Sequence, residues 1–383
     1  MVYFKGNFFP AYLLLAPAIL LGSAAFSKVG NNVGDKSESF RFLIEKKGRI
    51  IFIVIIFLAA FAAGIGVNFL FGSYPGTSDE FSCIFESDIL ASGKLYAEAP
   101  SDQDYFQAEN VVDGEKWYSK YTIGWPLLLV PGRIFGVDFL INPLCAAFSI
   151  VLVFLITGRL VNYSTGVIAA FMVLFSPYFF IMSGTYFTHT SAGLFVLLYL
   201  FFMIRVMGDG GFSSAFGAGF SFGWLVLIRP QDAPLVFTGA LPLLIYLFVK
   251  SPLDFKVKLT RLGIVFFLIA VGIGVLGLVS YYQTGSPFLL SFTRGSAGES
   301  WGFSSWNHTP VKGLWNVGFA FLRNSFWVVP FVLPLGIISF FSPDRRASLL
   351  FFIVPVYFLF YMGWYSVGAV SYTHLTLPRI YSV

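Results

Sequence analysis

The chain has 383 residues, 57% of them hydrophobic and only 11% charged, with a formal net charge of +5. A soluble domain carries roughly 25% charged residues, so this composition excludes a soluble enzyme and indicates an integral membrane protein. Basic residues of such chains gather in cytoplasmic loops, which accounts for the positive balance without nucleic acid as a partner.

No alternating ten-residue pattern points to a barrel. The expected fold is therefore all-α, a polytopic transmembrane bundle of about nine or ten spans, each needing about 20 apolar residues. Residues 9–26 form the first apolar run, which reads as an extra helix, an interfacial segment or an upstream extension from a misplaced start codon. No small-residue cleavage site precedes the basic stretch that follows, so it does not read as a signal peptide. Residues 27–49 carry Lys28, Lys36, Arg41, Lys46, Lys47 and Arg49 and are placed in the cytoplasm. Together 1–49 form an N-terminal segment ahead of a membrane domain over 50–368.

Spans are predicted over 50–71, 139–160, 165–183, 187–207, 212–228, 233–249, 262–282, 317–341 and 347–363. Residues 122–136, TIGWPLLLVPGRIFG, are apolar but short, broken by Pro126 and Pro131, and carry Arg133. If they crossed, Lys250, Lys256, Lys258 and Arg261, and later Arg345 and Arg346, would all fall outside, against the charge rule. They are predicted instead as an interfacial or re-entrant helix pair. The loop 72–122 is then extracytoplasmic and holds ten acidic residues against three lysines. Within it, FSCIFESDILASG has Phe81, Ile84, Phe85, Ile89 and Leu90 at helical spacing with Gly93 as a stop, an amphipathic surface helix.

The same alternation brings every chemically interesting cluster to the outer face. Asp79 and Glu80 follow the helix 50–71; they are either incidental solvated acids or a general base at headgroup depth that can deprotonate an acceptor hydroxyl. Lys120 either snorkels to headgroups or supplies a cation for a phosphate leaving group. Arg229, before the helix-breaking Pro230, divides in the same way between snorkelling and an intramembrane functional charge. His189 in YFTHTSAG, and Arg294 and His308 in the long Gly-, Ser- and aromatic-rich loop 281–316, are candidate substrate contacts.

Several patterns carry no chemistry. GIGVLG at 272–277 matches a dinucleotide fingerprint only literally, because it lies in an apolar span with no strand before it; helix packing is the reading. Asn162 and Asn307 are glycosylation sequons by pattern alone. Cys83 and Cys145 make no metal or disulfide pattern. VSYTHLTLP at 370–378 reads as a translated transposon-type sequencing adapter, so 369–383 is expected to be a non-native tail on a longer natural chain.

Taken in order, DEFSCIFESDILASGKLY, SKYTIGWPLLL, INPLCAAFSIVLVFLITGRL, SPYFFIMSGTYFTHTS, LIRPQDAP, YYQTGSPF and WGFSSWNHTPVKGLWN resemble the GT-C glycosyltransferases of the protein-mannosyltransferase-like, aminoarabinose-transferase-like group. The resemblance covers roughly 50–368. It implies a polytopic enzyme of the plasma (inner) membrane whose first outer loop carries the catalytic acid, here Asp79 with Glu80 beside it. It further implies transfer from a polyprenyl-phosphate donor with inversion in one displacement and no nucleotide cofactor, a divalent metal being left open. Lys120 matches the lysine that contacts donor phosphate, although Tyr121, Thr122 and Ile123 stand where relatives carry a Pro-Pro pair, and Cys83 stands where they carry an aromatic residue. The acceptor is a glycan, a lipid or a protein hydroxyl. The competing reading is a transporter or lipid-linked sugar flippase, which would place its site at the membrane midplane on interrupted helices within repeated halves; no such repeat is visible. A purely structural scaffold would not need an acidic pair and cations gathered on one face.

Overall fold

The computed structural model describes residues 46–100, 108, 110–112, 114–295, 299–301, 303, 309–327, 349, 352–362 and 364–366. Expectations for 9–26, for most of the basic stretch 27–49, for His308 and for the tail 369–383 lie outside these residues, as does part of the predicted spans 317–341 and 347–363.

The chain is a multi-pass helical membrane protein. It opens with α1 (Lys46–Leu70), a 25-residue helix, and α2 (Ser78–Ala91) follows after a short turn. Three short strands, β1 (Ala97–Glu98), β2 (Val111–Val112) and β3 (Lys116–Ser119), form an antiparallel sheet with β3 in the centre. Helices α3 (Gly124–Phe135), α4 (Ile141–Leu160), α5 (Tyr163–Leu174), α6 (Pro177–Ser183), α7 (His189–Val206), α8 (Phe212–Ile228), α9 (Asp232–Lys250) and α10 (Phe255–Thr284) come next. The short α11 (Ser291–Gly295), β4 (Glu299–Trp301), α12 (Pro310–Trp327), α13 (Ile353–Met362) and β5 (Trp364–Ser366) complete the described elements. Among the described residues five helices are long and apolar enough to cross a bilayer, six if α5 and α6 count as one bent span; of the nine or ten spans read from the whole sequence, 9–26 and parts of 317–341 and 347–363 fall outside these residues.

Within the described residues, three local features refine the expected spans. The span predicted over 165–183 is broken into α5 and α6 at an angle of 67°. Pro177 has no amide hydrogen and its ring obstructs the preceding turn, while the Ser176 hydroxyl accepts from Phe179 N at 3.3 Å and starts a new helix. Residues 122–136 give one helix rather than a pair. With 12 residues, α3 is about 18 Å long, too short for a hydrocarbon core of about 30 Å. Helix α8 has 17 residues, about 25 Å, and falls just under spanning length.

Small residues set the helix crossings. A Cβ on Gly64 of α1 would stand 2.9 Å from Pro143 Cβ of α4, and one on Gly272 of α10 would stand 2.6 Å from Gly223 Cα of α8. Gly272 is the first glycine of GIGVLG, so that motif is a helix-packing surface.

The bundle has two chemically distinct ends. At one end lie the start of α7, the ends of α8 and α10, and all of α2 and the sheet, joined by a hydrogen bond that Glu80 accepts and others that Thr122, Trp125 and Gln283 donate. At the other, Arg49 covers the Tyr163 ring at 4.5 Å, Arg159 pairs with Asp209, and Arg261 donates to Val206 O.

Candidate active site

The sequence Thr77-Ser78-Asp79-Glu80 builds the N-terminus of α2. Thr77 is the N-cap, its hydroxyl accepting from Glu80 N at 3.3 Å. Glu80, three residues on, turns back in a variant of the capping box: its Oε2 accepts from Gly76 N at 2.9 Å and from the Thr77 hydroxyl at 3.3 Å. Its Oε1 accepts from Tyr186 N at 2.8 Å, which ties α2 to the connection between α6 and α7. Burial raises the Glu80 pKa above the ordinary carboxylate value, opposed by the three donors just named.

Asp79 is half-buried, and its carboxylate takes different partners. Oδ1 accepts from Asn110 Nδ2 at 2.6 Å and from the Tyr121 hydroxyl at 2.7 Å. Asn110 has a left-handed backbone, φ 67°, which asparagine adopts more readily than most residues. That turn points its main-chain carbonyl at Lys120 N, 2.9 Å away, and its side-chain Oδ1 at Lys120 Nζ, 3.4 Å away. One asparagine therefore bridges the acid and the amine that the sequence singled out. Lys120 is buried, and its Nζ sits 5.0 Å from the Phe292 ring and 5.8 Å from the Tyr121 ring, close enough for cation–π attraction.

Lys120 is held in place from behind. The Glu86 carboxylate, 0% exposed on α2, accepts from Ser119 N at 2.8 Å through Oε2 and from Gln283 Nε2 at 3.0 Å through Oε1. Gln283 also donates to Leu95 O at 3.0 Å. Burial pushes the Glu86 pKa up to about 8, against the lowering effect of the Ser119 and Gln283 donors. The buried side of α2 carries Glu80, Ser82, Cys83, Glu86, Ser87 and Ile89, while Phe81 is exposed. The helix expected from its apolar residues is present, with Ile89 buried and Ile84, Phe85 and Leu90 half-buried, and its inner side also takes two carboxylates because donors meet them there.

Next to this group, the turn after β3 is fastened to the end of α8. Thr122 Oγ1 donates to Ile228 O at 2.9 Å, and a Cβ on Gly124 would lie 2.4 Å from Leu227 C, so only glycine allows this approach. Trp125 Nε1 donates to Tyr186 O at 2.7 Å. The fastening brings Arg229 toward α2. Its Nη1 donates to the Thr188 hydroxyl at 3.2 Å and its Nε pairs with buried Asp232, which also accepts from the Tyr357 hydroxyl at 3.2 Å. Burial first, and then Asp79, Glu80 and Glu86, push the Cys83 thiol well above its ordinary pKa, with Arg229 acting in the opposite direction.

Of the residues singled out from sequence, Asp79, Glu80, Lys120 and Arg229 share this neighbourhood. His189 begins α7 beside Thr188, buried and stacked on Phe187 at 5.5 Å. Arg294 lies in α11, two residues past Phe292. Asn110, Tyr121, Glu86 and Asp232 belong to the site and were not singled out. Tyr121 drew notice only as a departure from a Pro-Pro pair, whereas its hydroxyl is on Asp79. Among the described residues no three His, Cys, Asp or Glu side chains gather as a metal site.

The fold and this cluster define a polytopic membrane protein with an acid and a cation at one end of its bundle. Residues 127–274 match the family described as dolichyl-phosphate-mannose-protein mannosyltransferase, a similarity over less than half of the chain that supports a GT-C-like glycosyltransferase. The matched stretch includes His189 and Arg229 and begins after Lys120, so Asp79, Glu80 and Lys120 rest on the geometry and the resemblance read from sequence. No curated protein matches the chain.

Proposed function

We propose that the chain is an inverting glycosyltransferase that moves a sugar from a polyprenyl-phosphate donor to an acceptor hydroxyl at the outer face of the plasma membrane. The observation that carries this reading is the bridge Asp79–Asn110–Lys120, which holds a half-buried carboxylate on the nitrogen and a buried amine on the oxygen of one side-chain amide. The family similarity over 127–274 supports the lipid-phosphate donor.

In this reaction Asp79 takes the proton of the acceptor hydroxyl as its oxygen bonds to the anomeric carbon. The bond from that carbon to the phosphate oxygen breaks on the opposite side, and its electron pair leaves with the polyprenyl phosphate. Lys120 neutralises the departing phosphate as a point charge. Arg229 is the second cation, with a smaller net contribution because its charge is already shared with Asp232. Glu80, whose oxygens are both engaged by backbone donors, holds the helix start that presents Asp79. The outward orientation follows from the basic residues at the other end of the bundle. The acceptor is a glycan, a lipid or a protein hydroxyl.

A flippase would use an interrupted helix, and the bent pair α5–α6 is one. Its residues, YSTGVIAAFMVL and PYFFIMS, carry no charge to hold a phosphate. Membranes bearing the full chain, given polyprenyl-phosphate sugar labelled at the anomeric carbon, are expected to yield a product of the opposite anomeric configuration. A product of retained configuration, or donor that crosses the bilayer without transfer, contradicts the proposal.

A further inference from the structure

Toward the end of the bundle remote from Asp79 lies an apolar groove of about 200 Å³ between α7, α9 and α10, with Met203, Leu244, Phe248, Leu262 and Phe266 on its walls. The groove runs along α10 from Leu262 to Ile269, about 10 Å. One turn nearer the start of α10, on the same helix face, stand Lys258 and Arg261. Lys258 is buried; its Nζ donates to Phe248 O at 2.9 Å and lies 5.1 Å from the Phe248 ring, which itself lines the groove. Arg261 Nη1 donates to Val206 O at 2.7 Å, next to the groove residue Met207, while its Nε is buried with no hydrogen-bond partner. No carboxylate pairs with either cation among the described residues.

Each cation meets one main-chain carbonyl, which offsets part of the cost of its charge, and the buried Arg261 Nε donor has no acceptor, so an anion is what would complete the pair. The adjoining groove accepts only hydrocarbon. A single molecule with both properties is an amphiphile with an anionic head. We propose that this groove binds an anionic glycerophospholipid, one acyl chain lying between α7, α9 and α10 and its phosphate held by Lys258 and Arg261. Gln283, at the Asp79 end of α10, is roughly 30 Å along the helix from Arg261, so the lipid occupies the leaflet opposite the proposed sugar transfer and the inference does not depend on that reaction. An apolar helix of a second copy would fill the groove but brings the two cations no anion.

The test uses the full chain, delipidated in detergent and titrated with phosphatidylglycerol or phosphatidylcholine, with bound lipid counted by native mass spectrometry. Phosphatidylglycerol is expected to be retained at least about tenfold better, the preference that two cations near a lipid phosphate produce. The Lys258→Met/Arg261→Met variant is expected to bind both lipids at the phosphatidylcholine level. Ile245 stands exposed on the groove rim, and Ile245→Trp, which fills the groove without touching the cations, is expected to weaken both lipids together. That second variant keeps the test decisive if the first does not fold. Equal retention of both lipids by the unaltered chain overturns the proposal, as does binding unchanged by Ile245→Trp. A dimer that Ile245→Trp dissolves overturns it too, since a second copy would then be the occupant.

Discussion

Asp79 and Glu80 are adjacent carboxylates with separate tasks, and the difference lies in their donors. Glu80 meets backbone amides from its own cap and from Tyr186, which fix a helix end. Asp79 meets two side chains, Asn110 and Tyr121, from the far end of the same loop, and Asn110 links it to the lysine. Their place just past the end of α1 was readable from sequence; their division of labour was not, because Asn110 and Tyr121 lie 31 and 42 positions away from Asp79. Glu86 was less legible still. It is one of ten acids in the loop, and nothing in their order marks the one that is fully buried and bonded to Gln283, 197 positions later. Its raised pKa gives a prediction with a definite sign. Ordinary glutamate ionises near 4.5 and Glu86 in the fold near 8, so between these values the folded chain holds a proton that the unfolded chain has lost. Stability from this group is greatest below about pH 4.5 and declines as pH rises to about 8. Glu86→Gln keeps an acceptor for Ser119 N and has no ionisation. The melting temperature of the Gln variant minus that of the unaltered chain should therefore increase between pH 5 and pH 9, and a difference independent of pH would refute the assignment.

At the scale of elements, the long apolar helices were visible because each repeats its character over many residues, as α1 and α10 do. The sheet was not, since strands of two, two and four residues show no alternation to detect. The break between α5 and α6 was written in Ser176-Pro177 but masked by apolar residues on both sides. The element that matters most for the site is the turn from β3 to α3, which carries Lys120 at one end and touches α8 at Gly124. Adding a methyl there places a carbon 2.4 Å from one backbone atom and 2.5 Å from another, neither of which can swing aside. Gly124→Ala should cost about 1–3 kcal/mol of stability, the range for overpacking a dense interior. It should also raise the donor KM, because the turn with Lys120 must move away from the α8 end with Arg229. A thermal melt and donor saturation curve would check both; unchanged values would mean the contact does not set the cation spacing.

At the scale of the whole molecule, hydrogen bonding and charge sort into two ends without reference to any membrane. The acids of α2, Lys120, Arg229 and the end of α10 lie together, and the unpaired cations of α10 lie at the remote end with Arg49 and Arg159. The charge rule, applied to loop composition alone, likewise set Arg49 and the basic stretch of Lys250, Lys256, Lys258 and Arg261 on the side opposite Asp79. The account then reduces to one chemical assignment at the acidic end. The most direct measurement is transfer from a saturating labelled polyprenyl-phosphate sugar by the full chain and by Asp79→Asn, with donor binding measured in parallel. The account predicts turnover lower by about 10²- to 10⁴-fold, the range for loss of a general base, with donor affinity little changed because Lys120 and Arg229 remain. Turnover equal to that of the unaltered chain would contradict it.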